Sequence, residues 1–466
     1  MAEASASKKR KVQADVVQPQ LQASSRFSVP GLTLQEYSIK APLDHHSENS
    51  QEIDIFFRVV EGTSKLHCKQ PFLLYLQGGP GFEAPRPTEA SGWLRAAINS
   101  FKIVLLDQRG TGRSTPVTAA SLARIGNSEE QAAYLQHFRA DSIVQDAELV
   151  RQQLVPQDMQ EGRWAILGQS FGGFCCVQYL SAAPQGLTEV FLTGGLPPDV
   201  NQPCAAESAY RALYKRVLLQ NAKYYARFPQ DIALVQRIVH YLDQQPDGGA
   251  KLSNGSILRP RTFQMLGLQG LGSSGGFERL HYLLETAFDG PDLSMAFLKG
   301  FETWMPWAAN PIYALLHESI YCQRTASNWA ADRIRQAEFS QAFDAKSSAD
   351  NSLPVNFTGE MVFPWMFDDF AELRSLKAAA ELVAHKKDWK ELYDCNKLHE
   401  TTIPVASASY FEDMYVDFDH AQATAKHISG IRQWITNEFH HSGLRDDGQR
   451  ILDVLMAFSR GMMPLS

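Results

Sequence analysis

The chain is 466 residues long, with 44% hydrophobic and 20% charged residues. This is ordinary globular composition, and the length suits one large or two intimate domains rather than a single small core. Against 51 acidic residues stand 44 basic ones, a formal net charge of −7, which argues against a body built to hold nucleic acid.

Residues 1–25 are small and polar and read as a disordered leader. Within it Lys8, Lys9, Arg10, Lys11 and Val12 form a basic run of the kind used for nuclear import, or else a solvated tail. The N-terminus lacks the apolar core of a signal peptide, and no run of 18 apolar residues predicts a membrane span. The six cysteines, Cys68, Cys175, Cys176, Cys204, Cys322 and Cys395, make no CxxC pair. They fit a reduced intracellular protein, so cytoplasm is the default expectation, with the nucleus open.

Two strands are predicted over 32–43 and 52–62. The short apolar runs 71–79 (PFLLYLQGG) and 102–110 (KIVLLDQRG) end in glycine, as buried parallel strands do. Residues 141–154 carry helical spacing, 163–170 a strand, 172–183 a helix and 189–198 another strand. This alternation predicts an α/β, mostly parallel sheet. From 205 to 390 the segments turn mainly helical (205–228, 231–244, 277–288) and include Trp304, Trp307 and Trp329. The strand–helix rhythm returns with 401–409, 419–429 and 431–439, and a last helix covers 446–459. The expected organisation is leader 1–25, sheet core 26–204, helical insertion 205–390 and sheet core 391–466.

The glycines of Gly168-Gln169-Ser170-Phe171-Gly172 bracket a serine between a strand and a helix. That context makes a G-x-S-x-G nucleophile elbow, which holds the Ser170 hydroxyl above the sheet edge. A serine nucleophile needs a base and an oxyanion site. The glycine-rich turn after residue 76 supplies Gly79 as one backbone donor, and Phe171 N–H is the second. On such a sheet the acid and histidine follow the serine in chain order. His440 and His441 directly follow the strand 431–439, whereas His420 and His427 lie on a helical pattern; His441 is the expected base. The preceding loop offers Glu412, Asp413, Asp417 and Asp419. Asp419 is placed to cap the next helix, with Asp417 sharing that work, so Asp413 is the expected acid. No HExxH and no zinc-type Cys/His spacing is present, so no metal or cofactor is expected.

Together, 77–81 (QGGPG), 107–114 (DQRGTGRS) and 168–173 (GQSFGG) resemble the proline iminopeptidases of the α/β-hydrolase fold. The segments 311–322 and 410–417 resemble the longer members of that family. Gln77 stands where the family pattern usually has histidine. The resemblance implies an α/β-hydrolase core with a helical cap, and release of N-terminal residues, preferably proline, from peptides. It also implies cap glutamates that bind the substrate's free amine: Glu318, with Glu302 or Glu285 as the second. Phe301, Trp304 and Trp307 could line a proline-sized pocket, or simply pack. The loop 107–114 reads as structural, without phosphate-binding order. Competing readings are an esterase or amidase on the same triad and a silent binding protein.

Overall fold

The apolar runs become one sheet in the computed structural model, which describes residues 20–66, 68–305 and 307–463. Its nine strands are β1 (Gln22–Val29), β2 (Leu32–Pro42), β3 (Glu52–Gly62), β4 (Phe72–Leu76), β5 (Lys102–Leu106), β6 (Trp164–Gln169), β7 (Leu187–Thr193), β8 (Val405–Tyr410) and β9 (Arg432–Thr436). They lie in the order β1-β2-β3-β5-β4-β6-β7-β8-β9. The first three pair antiparallel, β3 runs antiparallel to β5, and every later neighbour is parallel.

Strands β4 and β6 are buried at every residue. They are covered on both faces, which is why they read as continuous apolar runs rather than alternating ones. The helices α1 (Gly92–Ala97), α2 (Ala140–Leu154) and α3 (Phe171–Ala182) follow β4, β5 and β6. Ile143, Val144, Ala147 and Val150 of α2 pack with Phe174, Val177 and Leu180 of α3 on one face. Trp93 and Leu94 of α1 pack with the final helix on the other.

Strands β7 and β8 are neighbours in the sheet but lie more than 200 residues apart in the chain. Between them run α4 (Ala206–Arg227), α5 (Pro311–Leu316), α6 (Ala330–Glu338) and several other helices. Their core is dense in aromatic rings, among them Tyr210, Tyr214, Phe263, Phe297, Phe301 and Trp307. The final helix, α7, spans Gly448–Ser459.

Strand β1 starts at Gln22, inside the stretch read as a leader, and pairs with β2 from there. The basic run Lys8–Val12 lies outside the described residues. All six cysteines are free thiols. Among the described residues no helix is long and apolar enough to cross a membrane, and no cluster of ligating side chains could hold a metal.

The loop after β5 does structural work. The Asp107 carboxylate accepts from Arg86 at 2.6 Å and from the backbone N–H of Arg113 at 2.9 Å. The Arg109 guanidinium is fully buried against Asp146 of α2 at 2.6 Å and also donates to the carbonyls of Pro42, Leu43 and His137. Ser114 Oγ donates to Asp107 O at 2.6 Å, closing the turn.

Candidate active site

Strand β6 ends at Gln169 and α3 begins at Phe171, so Ser170 alone makes the turn between them. It does so with φ 56° and ψ −127°, a left-handed conformation that costs a non-glycine residue energy. The flanking glycines are there for space. A Cβ at Gly172 would lie 1.9 Å from Leu76 O, and one at Gly168 2.4 Å from Gly172 O. Ser170 N–H donates to Thr193 O at 3.1 Å, which pins the turn to β7.

His441 follows β9, and Asp413 follows β8. Across the two loops His441 Nδ1 sits 2.7 Å from Asp413 Oδ2. The other carboxylate oxygen accepts the backbone N–H groups of Tyr415 (2.8 Å) and Val416 (3.1 Å), so Asp413 is held from both sides. Both residues are buried, Asp413 to 1% exposure and His441 to 8%. Burial alone would push the imidazole down. The Asp413 charge and hydrogen bond, together with the charge of Glu360, outweigh it and raise His441 above its ordinary value. The second ring nitrogen, Nε2, has Gln169 Nε2 3.5 Å away. Among the described residues the Ser170 hydroxyl makes no hydrogen bond; contacts of this kind often close only when substrate binds.

Of the other loop acids, Asp417 and Glu412 have partners elsewhere, and the other histidines lie apart from Asp413. Asp417, rather than Asp419, caps the next helix, accepting the N–H groups of Asp419 and His420, and it pairs with Arg216 at 3.0 Å. Glu412 pairs with Lys223. His420 is on that helix, His427 just past its end, and His440 Nδ1 is buried without a partner.

The turn after β4 comes up against the nucleophile, since a Cβ at Gly78 would lie 2.8 Å from Ser170 Cβ. Gly79 takes φ 135°, which side-chain-bearing residues rarely adopt, next to a cis bond to Pro80. Gln108 Nε2 donates to Gln77 O at 2.9 Å and fixes the turn. Among the described residues the N–H groups of Gly79 and Phe171 have no acceptor in the protein, and Phe171 opens a helix whose first amides have no partner within it.

A family model described as the alpha/beta hydrolase fold matches residues 71–245. A proline iminopeptidase from Aeromonas sobria is 47% identical over 435 residues, covering 93% of this chain and 98% of that protein. The chain belongs to the proline iminopeptidase family. A second family member, from Aspergillus aculeatus, is 35% identical over 91% of this chain and 92% of its own. Shorter likenesses reach 30% identity over 122 residues, as with the Neisseria meningitidis proline iminopeptidase.

The three glutamates expected to bind the amine each have partners within the protein. Glu318 is buried, and its two oxygens accept the N–H groups of Ala330 and Ala331, each at 2.9 Å. It satisfies the N-terminus of α6, which gives its carboxylate a structural partner. Burial nevertheless raises it above the ordinary carboxylate range. Glu302 is tied to Lys299 at 2.8 Å and to the Ser253 hydroxyl and amide. Glu285 is exposed and pairs with His281.

A further carboxylate whose charge is felt at His441 is Glu360, which sequence reading did not single out. It lies in an irregular stretch of the insertion and accepts from Tyr313 Oη of α5 at 2.9 Å. Burial pushes it up to about 7, and the nearby Asp413 charge adds to that, while His441 and the Tyr313 hydrogen bond oppose it. The Tyr313 ring meets Phe82 edge-on at 5.8 Å and Trp307 at 5.9 Å. Of the three aromatics considered for a pocket, Trp307 is therefore next to the site. Phe301 is fully buried, and Trp304 packs against the same core.

Proposed function

We propose that this protein is a cofactor-free serine aminopeptidase that releases N-terminal residues, preferably proline, from peptides. Ser170 attacks the carbonyl of the first residue while His441 takes its proton. Asp413 holds the imidazole in the tautomer that leaves Nε2 free to accept, and stabilises the imidazolium that forms. The amides of Gly79 and Phe171 receive the developing oxyanion. His441 then protonates the departing amine, and water clears the acyl-enzyme.

The observation that carries the reading is Glu360, a half-buried carboxyl held by the Tyr313 hydroxyl, whose charge and those of Asp413 and His441 act on one another. A free ammonium is the group such a carboxylate binds, and an acylated amine would leave its charge buried with the Tyr313 hydroxyl as its hydrogen-bond donor but no cation. An esterase acting on neutral acyl groups has no use for it. Six free thiols fit a reducing compartment, so the reading places the enzyme in the cytoplasm.

The test is hydrolysis of proline 4-nitroanilide beside its N-acetyl counterpart, simple esters, and the Ser170→Ala variant. The expected outcome is turnover of the free amine alone, reduced about 10⁴-fold or more in the variant. Equal turnover of the acetylated compound, or turnover of esters only, overturns the aminopeptidase reading.

A further inference from the structure

A cavity of about 640 Å³ opens beside His441, on a side that Glu360 and Tyr313 do not line. Its size is that of small-molecule sites. His441 and Gln169 stand on its wall, together with Gln77, Asn310 and the stacked rings of Tyr75 and Trp93, 4.7 Å apart. Gln77 Oε1 is taken by the Tyr75 hydroxyl at 2.9 Å, which turns its amide nitrogen to other use.

Arg445 also lines this cavity, on the short helical turn Gly443–Asp446, and is exposed. Its charge is felt at His441. Among the described residues it makes no ion pair. Its neighbour Asp446 is engaged by the hydroxyls of Ser274 (2.6 Å) and Ser442 (2.7 Å). Of the other charged groups on the cavity wall, Arg86 is held by Asp107 at 2.6 Å, and Glu83 is an exposed carboxylate whose charge is felt at Arg86. Arg445 is thus the uncompensated cation of the cavity.

The chemistry sets the direction of the substrate. The leaving nitrogen must sit beside the imidazole that protonates it, so the chain beyond the scissile bond extends on the His441 side. The first residue's amine is drawn to Glu360, which does not line this cavity. We propose that the cavity holds the residues after the scissile bond, and that Arg445 binds the C-terminal carboxylate of the peptide. The substrates are then short peptides, of two or three residues, with a free C-terminus. Gln77 Nε2 offers a hydrogen bond to a carbonyl of the departing segment, a use for the residue that departs from the family pattern.

This inference rests on the aminopeptidase reading, and the experiment separates the two. The full-length enzyme is given a prolyl dipeptide, prolyl-alanine, and its C-terminal amide, with proline 4-nitroanilide as a third substrate. The readout is the ratio of kcat/KM for free over amidated dipeptide within each enzyme, so any general effect of a mutation on His441 cancels. The expected ratio is 10 or more in the wild type, carried by KM. It falls toward 1 in Arg445→Gln and recovers in part in Arg445→Lys. A wild-type ratio near 1, or a ratio unchanged in Arg445→Gln, overturns the inference while nitroanilide turnover keeps the aminopeptidase reading. Absence of nitroanilide turnover in the wild type overturns both.

Discussion

Glu360 and His441 are close enough to bias each other's protonation, and that has a consequence for pH dependence. On the proposed mechanism, activity needs Glu360 ionised to hold the amine and His441 neutral to act as base. Both groups sit above their ordinary values, Glu360 at about 7 through burial, with the Asp413 charge adding, and His441 because Asp413 overrides its burial. Both requirements fail as pH falls. Below about 7, log kcat/KM for a proline amide should drop with a slope approaching two, as a coupled pair of protons is taken up. Above about 8 it should fall again as the substrate's own amine loses its proton. In Glu360→Gln the acid limb should relax to a slope near one, left by His441. The same variant should lose about 10- to 100-fold in kcat/KM, chiefly through KM, the scale of one hydrogen bond to a charged group. A pH–rate measurement decides it: an acid limb with the same slope in both enzymes removes Glu360 from amine recognition.

At the scale of elements, the turn from β6 into α3 is the part the sequence spells out most fully. An exposed helical glycine gains about 1 kcal/mol on mutation to alanine. Gly172 should do the reverse, because its Cβ would press on Leu76 O of β4, a backbone atom that cannot yield without moving the strand. Gly172→Ala is expected to destabilise by about 1–3 kcal/mol, the cost of overpacking, and to abolish turnover. A urea midpoint equal to or above the wild type's would show that β4 has room to shift. Ser170 was legible because local backbone geometry makes the site, and local geometry is written in neighbouring residues. Asp413 and His441 were legible for a related reason, since each follows a parallel strand and the sheet brings those strand ends together. Glu360 had no such signature. It lies in NSLPVNFTGEMVFPW, which has neither helical nor strand period, and only tertiary folding of the insertion brings it to His441. Glu318 had a motif but is buried as the partner of a helix N-terminus, which sequence cannot separate from an amine site. Strand β1 was missed because QASSRFSV is exposed along almost its whole length and shows no apolar alternation.

Across the whole molecule, the proposed mechanism requires the sheet to hold the insertion in register, because Ser170 belongs to one and Glu360 to the other. Arg139, at the start of α2, is 2% exposed and reaches from the core into the inserted segments. Its guanidinium donates to Cys322 O at 2.9 Å, Lys390 O at 3.1 Å and Ser319 O at 3.4 Å, and lies 4.5 Å over the Trp389 ring. Burial lowers its pKa, and its hydrogen-bond partners are all carbonyls. The segment it grips, 311–322, carries Tyr313, the partner of Glu360. Arg139→Met should leave the buried Cys322 carbonyl without its donor, at a cost of about 1–3 kcal/mol and a lower thermal midpoint. Kinetically it should raise KM for proline amides more than it lowers kcat, because Ser170 and Asp413 are fixed by the sheet and its loops, and the insertion's own hold on His441, Gly272 O accepting its backbone N–H at 3.3 Å, lies outside the segments that Arg139 grips. Arg139→Lys, which keeps the charge but loses the planar fork, should fall between. Steady-state kinetics beside thermal unfolding distinguish the outcomes: a fall in kcat at constant KM would mean that Arg139 supports the catalytic loops, not the placement of Glu360.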